Sequence, residues 1–96
     1  MQAETKITGP SYPHRYLVMA MRTGRFDAAV IEPHRRFLDD LRAQGRIELS
    51  GPFNDKSGGA YLLRAVSLAE ANAIVARDPL LTQAASTLRV FEWLAT

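Results

Sequence analysis

Cysteine is absent from the 96-residue chain, and only two histidines, His14 and His34, are present. Disulfides and thiolate metal sites are therefore excluded, and two imidazoles are too few for a zinc site, so no metal and no cofactor is expected. No apolar run approaches the roughly 20 residues of a membrane span. The segment 1–13 lacks the basic start and apolar run of a signal peptide, and a cytoplasmic protein is expected. The net charge is only +2, and the arginines are scattered. A nucleic-acid binder would show a basic stripe with interleaved aromatics, so nucleic acid is not an expected partner, and neither is a membrane. No glycine cluster joins a strand to a helix, so there is no phosphate loop. No serine sits in a strand-turn-helix elbow.

What is present is ordinary globular composition, with 47% hydrophobic and 23% charged residues. The length fits one domain. A chain this short buries only about 60–65% of its unfolded surface, so its own core is modest. With disulfides and metals set aside, self-association is the remaining way to bury more.

Residues 1–14 are polar and carry Gly9, Pro10 and Pro13. They are read as an N-terminal arm, either laid over a neighbouring subunit or without fixed structure. Residues 15–96 form the domain. Arg15–Arg22 is expected as a first strand, apolar on both faces: Tyr16, Val18 and Ala20 on one, Leu17, Met19 and Met21 on the other. Asp27–Gln44 is expected as a helix, with Asp27 as N-cap unless Pro33 moves the start toward Ile31. Within it His34, Phe37, Leu38 and Leu41 share one face. Gly45 stops it. Arg46–Phe53 is expected as a half-exposed strand, Ile47, Leu49 and Phe53 alternating with Glu48 and Ser50. Pro52 marks an edge or a bulge. A turn-rich loop at 54–58 leads to a strand over Gly59–Val66. Ser67 and Glu70 make a capping box for a second helix running to about Arg77. Its stripe is Leu68, Ala71, Ile74 and Val75, continued by Asp78, and Pro79 ends it. Leu80–Ala85 allows one short extra turn. Thr87–Leu94 is the fourth strand, Leu88 and Val90 facing opposite to Phe91 and Trp93.

The order is βαββαβ. Right-handed crossovers put both helices on one face of a four-stranded antiparallel sheet, the α+β ferredoxin-like arrangement, with the first and third strands central. The other face stays apolar and bare, which calls for a homodimer whose two sheets close a shared barrel.

Two residues are candidates for chemistry. His34 lies on an apolar helix face, where an imidazole needs a partner. It suits acid–base work near neutrality, although a core histidine bonded to backbone fits the same position. Asp78 continues an apolar stripe at a helix end whose dipole disfavours it, and a histidine or arginine would compensate. An Asp-Pro turn, with Asp78 capping nearby amides, explains it as well. Ser50, Gly51 and Pro52 are candidate substrate-binding residues on a rim over a cavity, though turn geometry alone accounts for Gly51-Pro52 and Gly58-Gly59. Tyr16, Tyr61 and Trp93 read as packing residues. The two helices are taken to run the same way, which separates His34 from Asp78 unless they are offset or joined through a second subunit.

His34-Arg35-Arg36-Phe37-Leu38, Leu41, Gly45-Arg46, Ser50-Gly51-Pro52-Phe53, Gly58-Gly59-Ala60 and Asp78-Pro79, in that order, resemble the YciI-like (YCII-related) family over about residues 15–94. The resemblance implies a dimeric α+β barrel of ferredoxin-like protomers. It implies that His34 and Asp78 match the family's histidine–aspartate catalytic pair. It also implies cofactor-free proton transfer on a small organic molecule: one relative is a dehydrochlorinase of chloroaromatic breakdown, and muconolactone isomerases share the barrel. A lyase, isomerase or dehydrohalogenase is therefore expected. A non-catalytic small-ligand-binding or regulatory dimer and a cofactor-free monooxygenase are the competing expectations.

Overall fold

Side-chain alternation decides which side of the sheet is covered. Tyr16, Val18 and Ala20 are buried, while Leu17, Met19 and Met21 between them are only partly so. In the computed structural model, which describes residues 12–96, the strands are β1 (His14–Arg22), β2 (Ile47–Pro52), β3 (Gly58–Ala65) and β4 (Ser86–Trp93). The helices are α1 (Ile31–Ala43), α2 (Leu68–Val75) and a single turn, α3 (Pro79–Thr82). All strand pairs are antiparallel, in the order β2-β3-β1-β4. The ferredoxin-like α+β architecture is thus present, with β1 and β3 central. Of the expected arm, residues 1–11 lie outside the described residues, and β1 already takes in His14.

The core lies between the helices and one sheet face. Tyr16 and Val18 of β1 and Tyr61, Leu63 and Ala65 of β3 pack against Leu38 and Leu41 of α1 and Ala71, Ile74 and Val75 of α2. Each large apolar side chain buried there contributes about 1.5–3 kcal/mol. A second cluster of Ala20, Val30, Leu80 and Ala85 closes the end where β1 finishes. Leu68, placed on the α2 stripe by periodicity, is exposed instead, and the core contact of that helix begins at Ala71. No described helix is long and apolar enough to cross a membrane.

Local signals explain the helix ends. Asp27 caps a 3₁₀ turn over Ala28–Val30, accepting from the Ala29 amide at 2.8 Å. The α-helix proper begins at Ile31, so Pro33 falls in a first turn that needs no amide donor there. Gly45, at φ 76°, supplies the left-handed residue that ends α1. Ser67 accepts from the Glu70 amide, but the Glu70 carboxylate reaches past Ser67 to the Val66 amide and ion-pairs with Arg46.

Two expectations need correction. Direction alternates across the sheet, so β1 and β2 run one way and β3 and β4 the other; α1 descends from the end of β1 to the start of β2, and α2 climbs from the end of β3 back to the level where β1 ends. The helices run antiparallel, not the same way. The start of α1 and the end of α2 therefore meet at one end of the sheet, where Met21 pairs with Gly58 and Arg22 with Ser86. Second, Ile47 and Leu49 do not share a face. Ile47 pairs with Leu63 but Leu49 pairs with Leu62, so the strand carries one extra residue, a bulge. Beyond it Ser50 turns toward the helices, and Leu49 joins Leu62, Leu17 and Phe91 in a row across the uncovered face.

Candidate active site

The site forms where α1 begins and α2 ends. Asp78 follows α2 and caps α3, with Pro79 at the first position of that turn. Its side chain is fully buried. Three donors converge on its two oxygens: the Leu80 amide at 2.9 Å and His34 Nδ1 at 2.8 Å on Oδ1, and the Tyr61 hydroxyl at 2.9 Å on Oδ2. That is the coordination of a carboxylate. Both expectations for Asp78 meet in the same group: it caps the Asp-Pro turn, and a histidine compensates it.

His34 sits in the first turn of α1, with its side chain about one-fifth exposed. Antiparallel helices bring it directly onto Asp78, so no second subunit is needed for the contact. The carboxylate accepts the Nδ1 proton. This leaves Nε2 to whatever enters the adjoining cavity and fixes the tautomer in which Nε2 is the basic atom. The His34 and Tyr61 rings lie 6.0 Å apart, tilted by 47°.

Tyr61 was missed in the sequence, where it reads as packing. Its hydroxyl pKa is pushed far upward, first by burial and then by the neighbouring Asp78 charge. It remains a phenol and a donor. The signal was available: alternation turns Tyr61 inward beside Leu63, and a buried hydroxyl needs an acceptor.

A cavity of about 590 Å³ opens in front of His34, within the usual range for small-molecule sites. Ser50, Gly51 and Pro52 line its β2 side, and Gly58 and Gly59 its β3 side. A Cβ on Gly58 would stand 1.9 Å from the Ala20 carbonyl oxygen, so only glycine permits this approach of β3 to β1. Ser50 accepts from Arg42 Nη2 at 2.9 Å, and Arg42 Nη1 donates to Asp39 at 2.9 Å. Phe26, Ile31, Leu38 and Leu80 supply an apolar lining, and Arg22 and Arg35 add further charge. Among the described residues no three His, Cys, Asp or Glu side chains gather as a metal site would require.

Comparison with known proteins places the chain and its fold. The family model of the YCII-related domain matches residues 15–94. An uncharacterised protein of Bacillus subtilis (strain 168), YjpA, is 42% identical over 80 residues, covering 83% of this chain and 94% of that protein. Among solved structures, the 5-chloro-2-hydroxyhydroquinone dehydrochlorinase TftG of Burkholderia phenoliruptrix AC1100, in complex with 2,5-dihydroxybenzoquinone, superposes with a TM-score of 0.69 at 18% identity. The match covers 85% of this chain and 95% of that one. At that identity the likeness shows the fold.

Proposed function

The chain belongs to the YCII-related domain family, and from that premise we propose that it is a cytoplasmic homodimer catalysing cofactor-free proton transfer on a small organic molecule, as a lyase, isomerase or dehydrohalogenase. The observation that carries this is His34 Nδ1 held 2.8 Å from a fully buried Asp78 while the ring lines a cavity. Nε2 takes a proton from a substrate carbon. The electrons of that C–H bond form a new double bond, and a leaving group departs with its own pair. In an isomerase the proton returns at another carbon instead. Asp78 orients the ring and stabilises the imidazolium, and Tyr61 and the Leu80 amide hold Asp78 in place. Ser50, Gly51 and Pro52 form the wall against which the substrate rests. The fold neighbour TftG is a dehydrochlorinase, and that supports an elimination for this chain.

A second copy covers the uncovered sheet face. Leu49, Leu62, Leu17 and Phe91 form one apolar row there, flanked by a half-exposed Trp93.

The test is a panel of halogenated hydroquinones and unsaturated lactones, assayed with the wild type and with His34→Ala and Asp78→Asn. Turnover should fall by about 10²–10⁴ in both variants while ligand binding persists. Full turnover in His34→Ala sinks the acid–base role. Binding without turnover by the wild type across the panel favours a ligand-binding dimer.

A further inference from the structure

The cavity wall carries charge of predominantly one sign. Besides His34, its charged side chains are Arg22, Arg35, Arg42 and Asp39, three cations against one anion. Asp39 is engaged by Arg42, whose other nitrogen holds Ser50. Arg35 leans on Glu32 at 3.6 Å. Arg22 has no carboxylate partner among the described residues. Its guanidinium instead lies 4.0 Å over the Phe26 ring. That stacking covers one face of the group and leaves its planar edge of donors to accept a partner. The nearby negative charge, Asp78, is buried behind His34 and already meets three donors.

We infer that the substrate of this site is an anion, a small molecule with an apolar body and a carboxylate or acidic hydroxyl that docks on Arg22. The inference rests on the reading above for which cavity the substrate enters, but not on turnover. A guanidinium edge meets the paired oxygens of a carboxylate bidentately, and the apolar lining contributed by Phe26, Ile31 and Leu80 accommodates the carbon skeleton. The same cation serves the chemistry. Removing a proton from carbon adds negative charge to the substrate, and a guanidinium stacked on Phe26 at the cavity wall stabilises that charge as it forms.

Calorimetric titration of the full chain with benzoate and benzamide, planar probes of nearly equal size, tests this. The wild type should bind benzoate at least about tenfold more tightly. Arg22→Gln should abolish the preference, Arg22→Lys should retain part of it, and His34→Ala should leave it intact. Arg22 lies exposed at a strand end, and unchanged circular dichroism of each variant confirms folding. Equal affinity for the two probes, binding of neither, or a preference that survives in Arg22→Gln overturns the inference. An intact preference together with full turnover in His34→Ala overturns the acid–base reading alone.

Discussion

Removing one oxygen atom tests the architecture of the site. In Tyr61→Phe the ring stays, nearly fully buried, while Asp78 Oδ2 loses its 2.9 Å donor. No water reaches that carboxylate, which has no exposed surface. A hydrogen bond to a charged group is worth about 1.5–3 kcal/mol, a large part of the roughly 5–15 kcal/mol that holds a small domain together. The midpoint of thermal unfolding should fall on the order of 10 °C at this size. Urea denaturation followed by circular dichroism, at fixed protein concentration because the proposed dimer would add to apparent stability, gives the free energy directly. The same change in an Asp78→Ala background removes a hydroxyl that no longer has an acceptor. There it should be neutral or favourable, so the two substitutions should couple by at least about 1 kcal/mol. A loss below about 0.5 kcal/mol in the single variant, or simple additivity in the double, would refute the donor role of Tyr61.

Gly58→Ala forces a Cβ onto the Ala20 carbonyl and should cost about 1–3 kcal/mol in urea denaturation, whereas Gly24→Ala, with open space around it, should change little. Leu17→Asp places a charge inside the apolar row, on central strand β1, so light scattering should report a dimer for the wild type and a folded monomer for the variant; a variant that stays dimeric disproves that interface. The Arg46 guanidinium, then the Val66 amide, holds the Glu70 carboxyl below its ordinary range. A lowered carboxyl stabilises the fold above its ordinary value and loses that contribution as pH falls through the lowered one. Glu70→Gln should therefore be about 0.5–1 kcal/mol less stable than the wild type at pH 7, with the gap closing below about pH 4.5; a gap independent of pH would show the ion pair to be inert.

Local rules were legible in the sequence wherever a few neighbouring residues decide the outcome. Gly45 ends a helix, Ser67 starts one, and Asp78-Pro79 turns the chain, each from chemistry confined to one turn. The inward placement of His34 and Asp78 followed from helical periodicity. Their contact was obscured by a topological error: an antiparallel sheet with the first and third strands central makes the first two strands run one way and the last two the other, so the two crossover helices are antiparallel and the two residues come together. Pro52 announced an edge or a bulge and β2 has both, but the place of the bulge was not legible, because Ile47, Leu49 and Phe53 fit an unbroken period of two and nothing at Glu48 marks an extra residue. Tyr61 was missed because its acceptor is 17 positions away, and Arg22 because a cation at a strand end looks like any solvated charge until the cavity beside it is seen.

The irregularity in β2 ties two properties of the protein to one position. Up to Ile47 the edge strand shows one parity, and after it the other. Straightening the bulge with Glu48 kept in the chain would swap the destinations of Leu49 and Ser50, sending a leucine into the chamber beside Arg42 and a hydroxyl onto the flat side proposed for a second copy, whereas deleting Glu48 would leave both where they are. One unpaired residue thus sets ligand selectivity and self-association together, and a relative one residue shorter at this point should keep both traits with a regular edge strand.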